Sequence, residues 1–351
     1  MRRRIPFLLL VTLVFSGCAS VGPGTITRDR FDYTTAIRDT EQEQLLVNIV
    51  RLRYLEAPVF LKVASIINQY SLEGSVSLSA MNASGNLPDT QSIGGVGRWI
   101  DRPTITYTPI TGRTFAQSLL TPIPPDALLA MVHAGWSGEF LFRIAVRSIN
   151  GVENESASPV SRRSADPEFR EFLQLWDNLR KARILGLRRD DTGATVKFFG
   201  YIKESDVSAD VANDIKRLRS LLGLNSSISE FAISYGLIPD EPNEIVLLTS
   251  SIMEIISELS WRIDVPAEHV QASRTLSTFE STGVFDAPIF RVHTATEKPV
   301  DAYVAVYERG VWFYVDDRDL ISKRTFALLQ VLLSLTESSE GAAGPIVTIG
   351  G

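Results

Sequence analysis

The apolar positions of this chain recur at two periods, one typical of helices and the other of strands. Apolar residues between Leu45 and Leu52 follow at helical spacing, behind Thr40 and Glu43, which fit a helix-capping box. The run stops at Pro58, because proline disfavours the helical conformation in the residue before it. The pattern predicts a helix that starts at Thr40 and buries one face.

A second helical pattern lies in the other half of the chain. Asp166 is placed to cap it, and Pro167 suits its first turn. Its apolar residues are spaced three or four apart: Phe169, Phe172, Leu173, Trp176 and Leu179. Further helices are predicted at Phe115–Leu120, from Pro125 onward, and over Ser208–Leu222, Leu248–Trp261 and Thr325–Leu335. Both halves of the chain are therefore expected to contain helices.

Shorter segments between these helices have the composition of strands and turns. Two strands are predicted within Val59–Ala80, with their turn around Glu73 and Gly74. The stretch Met81–Gly97 is rich in Asn, Ser, Gly, Asp and Pro and predicts an exposed, mobile loop. Phe140–Ile149 fits either period and its type stays open.

The remaining strand predictions concern mainly the second half. They cover Trp99–Tyr107, a hairpin around Asp190–Gly193, Ile289–Val292, Val300–Tyr307, Val311–Val315 and Pro345–Ile349. Arg309 and Gly310 are expected to form the turn between two of these strands. Helices and strands mixed in this way predict an α+β fold with mainly antiparallel strands.

A polar stretch from Asn150 to Ala165 divides the chain into two halves. It predicts a boundary between an N-terminal α+β domain, residues 29–150, and a C-terminal α+β domain, residues 166–351, packed as two subdomains. Residues 18–28, which are mostly small, polar or structure-breaking, predict a flexible tether ahead of the first domain.

The first residues have the pattern of an export signal. Arg2, Arg3 and Arg4 precede an apolar run from Ile5 to Phe15, which is too short to span a hydrocarbon core of about 20 helical residues. A cleaved signal peptide is therefore favoured over a permanent transmembrane helix.

The end of this run resembles the lipobox of bacterial lipoproteins. Phe15, Ser16, Gly17 and Cys18 give a bulky apolar residue, two small residues and the cysteine, although the family usually has leucine where Phe15 stands. The resemblance implies cleavage after Gly17, a diacylglycerol thioether on Cys18 and acylation of the new amino terminus, palmitate being one such chain. Cys18 is the only cysteine, which fits a thiol that lipid consumes.

Two other interpretations of this terminus stay open: an ordinary secretory signal with a chance cysteine, and a buried N-terminal helix. If Cys18 is lipidated, two or more acyl chains anchor the protein stably, at about 0.8 kcal/mol for each buried methylene. Ala19 and Ser20 follow, whereas an aspartate directly after the cysteine retains members of the family in the inner membrane. The resemblance therefore implies the outer membrane, on its periplasmic side.

The composition of the chain limits the classes of partner that it is expected to bind. Removing Met1–Gly17 takes away three arginines and no acidic residue, which changes the formal net charge from −6 to −9. An acidic chain lacks the basic footprint of nucleic-acid binding. We therefore expect no nucleic acid as partner, and instead a membrane, through lipid on Cys18, and another envelope protein. Beyond the lipobox, the chain resembles uncharacterised bacterial envelope proteins, which implies no activity.

Catalytic and ligand-binding motifs are scarce. His133, His269 and His293 are scattered, without a second ligand at zinc-site spacing, so no metal is predicted. No Ser stands three residues before a Lys, and no GxSxG elbow occurs. Gly94, Gly95 and Gly97 do not complete a nucleotide-binding glycine pattern. We predict no cofactor.

The densest polar cluster is Asp316, Asp317 and Asp319, directly after a predicted strand. Three close carboxylates could hold a hard cation, or supply an acid and a base, because neighbouring like charges raise one pKa. The alternative, which we favour, is that they accept hydrogen bonds from backbone amides at a turn, with Asp319 or Ser322 capping the last helix.

Two functions of different classes follow. The first is a lipid-anchored envelope protein that acts as a non-catalytic binding or scaffold module. The second is a lipid-anchored hydrolase that uses carboxylates such as Asp316, Asp317 or Asp319. The first is preferred, because the sequence contains an anchor motif and no recognisable catalytic motif.

Overall fold

The computed structural model describes residues 21–67, 70–81, 90–157, 162–192, 197–278 and 288–336. Helices and five β-sheets alternate along these residues, and every strand pair in the sheets is antiparallel except one. This architecture confirms the predicted α+β fold with mainly antiparallel strands. In the part of the chain described, no helix is both long and apolar enough to cross a membrane.

The chain divides into two compact units. The first consists of the chain up to Glu41 together with Phe60–Pro109, and the second of Gln42–Val59 together with the chain from Ile110 onward. The polar stretch Asn150–Ala165 lies within the second unit, where it connects strands to a helix.

Helix α1 runs from Val21 to Arg53 and so extends much farther than predicted. The predicted start at Thr40 is wrong: the Thr40 hydroxyl donates to the carbonyl oxygens of Ala36 and Ile37, each at 2.9 Å, inside the helix. A threonine hydroxyl can bond the preceding helical turn as well as cap a new helix, and the sequence does not separate these roles.

The first turns of α1 occupy residues 21–27, where the sequence predicts a flexible tether. The helix accommodates Pro23 there because the first four N–H groups of a helix have no helical acceptor, so a missing donor loses nothing. The predicted signal peptide, residues 1–17, and residues 18–20 with Cys18 lie outside the described residues.

The first unit contains one long hairpin. Strand β1 (Leu61–Ile67) pairs with β4 (Thr104–Pro109), and β2 (Tyr70–Met81) pairs with β3 (Thr90–Asp101), both antiparallel. From Ser65 to Met81 the paired residues follow one antiparallel register without a shift, since each step forward in one arm is matched by one step back in the other. The four strands therefore form the two arms of a single hairpin.

This hairpin corrects two predictions. The turn predicted at Glu73 and Gly74 is wrong, because both residues lie inside β2, paired with Arg98 and Gly97. The loop predicted over Met81–Gly97 is also wrong for residues 90–97, which belong to β3, while residues 82–89 lie outside the described residues. Serine and glycine are typical of loops, and here they also occur in strands whose faces are exposed.

The second unit is built on a six-stranded sheet in the order β6-β5-β12-β11-β10-β9. Its strands are β5 (Val146–Ile149), β6 (Val152–Glu153), β9 (Leu185–Asp190), β10 (Lys197–Ile202), β11 (Glu230–Tyr235) and β12 (Glu244–Thr249). Asn150 and Gly151 form the β5–β6 turn with φ of 47° and 82°, as expected of an Asn-Gly hairpin. The side chain of Asn150 also accepts from the Val246 N–H at 2.7 Å, which ties the turn to β12.

Helices of the second unit pack against this sheet and one another. They are α2 (Gly112–Phe115), a π-helical turn (Ala116–Leu120), α3 (Pro125–His133), α4 (Gly138–Ala145), α5 (Pro167–Lys181), α6 (Ala209–Leu222), α7 (Ile252–Ser260) and α8 (Ala267–Gln271). The predicted stripe of α5 is confirmed, since Phe169, Phe172 and Trp176 are almost fully buried. The Phe142 ring of α4 lies against Phe172 and Trp176.

A three-stranded sheet, in the order β13-β15-β14, completes the second unit with helix α9 (Leu320–Thr336). Its strands are β13 (His293–Ala295), β14 (Ala302–Glu308) and β15 (Val311–Asp316). Arg309 and Gly310 form the β14–β15 turn as predicted, with φ of 54° and 90°. Short strands β7 (Ser156–Ala157) and β8 (Arg162–Arg163) pair separately, and the strand predicted at Pro345–Ile349 lies outside the described residues.

Candidate functional site

Asp316 and Asp319 lie at the turn between β15 and α9, and both accept hydrogen bonds from backbone amides. The Asp316 carboxylate accepts from the Arg318 N–H at 2.8 Å. One oxygen of Asp319 accepts from the N–H groups of Ile321 and Ser322 at 3.1 and 3.0 Å. This is the geometry of a helix N-cap, which satisfies donors that the helix itself leaves free.

Asp317 points to a different partner. Its carboxylate accepts from the ammonium group of Lys323 at 2.6 Å, and its backbone carbonyl accepts from the same group at 3.0 Å. The neighbouring Arg318 donates to Asp301 at 2.7 Å. The three carboxylates thus serve three separate contacts and do not converge on a common point.

No cluster of three or more His, Cys, Asp or Glu side chains suited to a metal ion occurs among the described residues. The three histidines also lie in separate places. His133 packs beside the Phe198 ring, His269 contacts Tyr54, and His293 contacts Asp264.

A cavity of about 460 Å³ lies between α4, α7 and the β7–β8 segment. Its size is within the range of small-molecule pockets. Its wall includes apolar groups such as Met253 and Ile289 and several charged side chains. Two of these charges form an ion pair, Arg147 with Glu254 at 2.8 Å.

Glu155, which lines this cavity, belongs to a buried ion pair. Arg262 donates to Glu155 at 2.5 Å, and each side chain is only 7% exposed. Glu258 lies 3.5 Å from the same guanidinium. Buried charges of this kind are retained only when paired, because the desolvation of an unpaired ion costs several kcal/mol or more.

Arg143 contributes a partly buried charge to the cavity wall. Burial lowers the pKa of its guanidinium from 12.5 to about 10, and Glu155 partly offsets this decrease. Arg143 remains a cation at neutral pH. The cavity therefore has positive and negative groups in balance, and an ionic ligand would have to displace an existing ion pair.

Asp264 and His293 form the pair that comes nearest to acid–base geometry. A carboxylate oxygen of Asp264 lies 3.2 Å from Nδ1 of His293, and both side chains are about one third exposed. Arg291 shares the same carboxylate at 3.3 Å. Such a pair orients an imidazole, but general base catalysis also requires a nucleophile or water at its other nitrogen. No described side chain is seen to supply that group.

The hairpin of the first unit exposes several apolar side chains. Leu61, Ile67, Ile105 and Tyr107 are each more than 40% exposed, and Val96 is 68% exposed. Neither arm pairs with a third strand among the described residues. Exposed apolar side chains next to open strand edges are typical of interaction surfaces.

Sequence reasoning missed the buried Arg262–Glu155 pair and the hairpin surface. The ion pair joins residues 107 positions apart, and no local pattern indicates such a partner. The hairpin did carry a signal, the alternation of Ser or Glu with Leu, Gly or Val from Ser71 to Ser79. No family model, curated protein sequence or solved structure matches this chain.

Proposed function

We propose that this protein is a lipid-anchored envelope protein of the outer membrane, facing the periplasm, whose body is a non-catalytic binding module. The anchor is supported by the lipobox-like residues Phe15 to Cys18. The observation that carries the binding role is the long hairpin of the first unit, with exposed apolar side chains and two open edges. Such a surface is suited to contact with another protein strand.

The contacts of Asp316, Asp317 and Asp319 weigh against the alternative, a hydrolase that uses these carboxylates. A catalytic pair needs one carboxylate held neutral and the other free to act on substrate. Here Asp316 and Asp319 accept from backbone amides and Asp317 accepts from Lys323. Each is occupied with stabilising a turn or a helix end.

The anchor is tested by mass spectrometry of the mature protein isolated from membranes. We expect a chain that begins at Cys18 and carries the added mass of acyl chains. A Cys18→Ser variant should be unlipidated and should leave the membrane fraction. An intact Met1 terminus, or a mature terminus at another residue, in the wild-type protein would refute the anchor.

The binding role is tested with a photo-crosslinking amino acid at Val96, in the hairpin, of the protein in intact cells. Val300 is the matched control, because it is also an exposed valine, 97% exposed, but lies in the second unit. We expect covalent adducts from position 96 and none from position 300. A hairpin that yields no adduct would contradict a binding role for this surface.

A further inference from the structure

We infer, on the basis of the binding function proposed above, that the partner of the hairpin is another copy of this same chain. The hairpins of successive copies lie side by side, with the β2 edge of one copy paired to the β3 edge of the next. Each protomer then contributes two strands to a shared sheet.

The first support is the length of the unpaired edges. Strands β2 and β3 have 12 residues each and pair over their whole length without a register shift. Strands in globular proteins usually have about 5–6 residues, and a lone two-stranded hairpin is marginally stable at best in water. A hairpin this long therefore requires a partner that supplies further strands.

The second support is the lack of edge protection. Proteins shield open edges with lysine, proline or bulges, which prevent the pairing of one chain with another. The sequences of β2 and β3 contain no lysine and no proline, and their register is uninterrupted. The charged residues of these strands include Glu73 and Arg98, which have opposite signs and can pair with each other across an edge.

The third support is the division of positions between two faces. Side chains alternate along a strand, so every second position shares a face. Glu73, Ser75, Ser77 and Ser79 of β2 share one exposed face, and their register partners on that face of β3 are Arg98, Val96, Gly94 and Ser92. Because a sheet of aligned copies keeps these positions on one side, edge pairing extends this largely polar face from one copy to the next.

The charges of the hairpin favour a head-to-tail row, in which β3 of each copy pairs with β2 of the next, over a two-fold pair, in which β2 pairs with β2. Glu73 of β2 and Arg98 of β3 are register partners, and therefore lie at the same level on the polar face. We call the row level when β3 of one copy pairs with β2 of the next in the same register as within one hairpin. In a level row, each Arg98 lies between the Glu73 of its own hairpin and the Glu73 of the next, so opposite charges alternate. Two-fold pairing of β2 with β2 would leave the β3 edge of both copies open.

Disulfide formation tests this arrangement in the full chain with Cys18→Ser, which removes the only other thiol. Ser75 and Val96 are register partners, so a level row places Ser75 of one copy beside Val96 of the next. Adjacent partners are about 5 Å apart and within disulfide range, whereas two Ser75 residues, two strands apart, are about 10 Å apart and out of range.

We expect no disulfide dimer from Ser75→Cys alone or Val96→Cys alone, and covalent dimers when the two variants are mixed. Dimers from either single variant would indicate two-fold pairing and overturn the head-to-tail row. Variants that associate but form no mixed dimer would overturn the level register.

Light scattering gives an independent measurement of association. We expect the Cys18→Ser chain to form oligomers, and Val96→Lys to shift them towards the mass of a single chain with unchanged circular dichroism. Val300→Lys, the matched control outside the hairpin, should keep the oligomer mass. A chain that is monomeric at all concentrations would overturn self-association. A Val96→Lys change that affects only binding to phospholipid vesicles would also overturn it, because that result would assign the hairpin to the membrane.

Adducts from the photo-crosslinker at Val96 separate this inference from the function it rests on. Adducts whose mass is a multiple of this chain support self-association. Adducts with a different protein would overturn it and leave the binding function intact. The lack of any adduct would count against the binding function itself.

Discussion

The hydroxyl group of Tyr54 lies 2.7 Å from Nδ1 of His269, and both side chains are buried. This hydrogen bond joins the residue that follows α1 to helix α8, 215 positions along the chain. Removing the hydroxyl in Tyr54→Phe leaves a buried ring nitrogen without its partner, so we expect a loss of about 1–3 kcal/mol in the free energy of unfolding. Urea denaturation measures it, with exposed Tyr307→Phe as the control, which should change little.

The same pair predicts a response to alkaline pH. Burial raises the pKa of Tyr54 above its usual 10.0, although Arg309 and Arg53 partly offset the increase. Below pH 10 the folded and unfolded chains both hold this proton, and above it the unfolded chain releases the proton first, so stability decreases as pH rises. Between about pH 8 and about pH 11 the wild type should therefore lose more stability than Tyr54→Phe. Parallel losses would contradict this expectation.

The buried Arg262–Glu155 pair predicts an asymmetric pair of variants. Arg262→Met leaves Glu155 buried without its closest cation, which should reduce the free energy of unfolding by about 3–5 kcal/mol. The double variant Glu155→Leu/Arg262→Met removes both charges and should lose less than the single variant. Denaturant unfolding of the wild type, both single variants and the double variant measures the difference. A double variant that is less stable than Arg262→Met would contradict this expectation.

The turn before α9 predicts different effects for its three carboxylates. Asp319→Ala removes an N-cap and should reduce stability by about 1 kcal/mol. Asp316→Asn and Asp317→Asn should change it little, since their contacts are exposed and local. The melting temperature should be the same with added calcium or magnesium as with a chelator. A metal-dependent increase that Asp317→Asn abolishes would revive the hydrolase hypothesis.

Two glycines of the six-stranded sheet predict unequal effects. A Cβ on Gly200 would lie 2.0 Å from the ring of Phe231, which is 1% exposed and has no room to move. A Cβ on Gly186 would lie equally close to Tyr201, but that side chain is 46% exposed and can turn outward. Gly200→Ala should therefore cost about 1–3 kcal/mol, and Gly186→Ala less. Thermal melts test this order, with Gly97→Ala, which meets no atom within 4 Å, as the control.

Local patterns predicted the elements whose signals are local. The stripe and proline start of α5 and the Arg309–Gly310 turn all occur where the sequence placed them. Asp166 is the exception within α5, because its carboxylate accepts from the Glu153 N–H at 2.8 Å and does not cap the helix. A capping residue type thus marks the position of a helix end, while the partner of its side chain depends on tertiary structure.

Elements that depend on distant pairing were not predictable in this way. Leu248 was expected to begin a helix, but it lies in β12 and pairs with Ser148, about one hundred residues earlier. The helix starts later, at Ile252, behind a capping box of Ser251 and Glu254. An apolar run near a helix fits either element, and its sheet partner decides between them.

The candidate site shows the same contrast between local features, which the sequence predicts, and long-range features, which it does not. The sequence identified Asp316, Asp317 and Asp319 because they are adjacent, and adjacency was enough to predict a turn and a cap. It did not reveal the cavity near Arg262 or the open edges of the hairpin. Both are defined by residues that meet only in the folded chain.

The register of the hairpin means that this segment could be deleted and the chain rejoined across a short gap. Its first and last paired residues, Leu61 and Pro109, are cross-strand partners, so the chain enters and leaves this segment at nearly the same place. Partners of this kind have Cα atoms about 5 Å apart, a gap that two or three glycine or serine residues can close. Phe60 can thus be rejoined to Ile110 with little rerouting of the backbone at the junction. Gain or loss of the hairpin would then be a single genetic event, separable from the evolution of the six-stranded sheet.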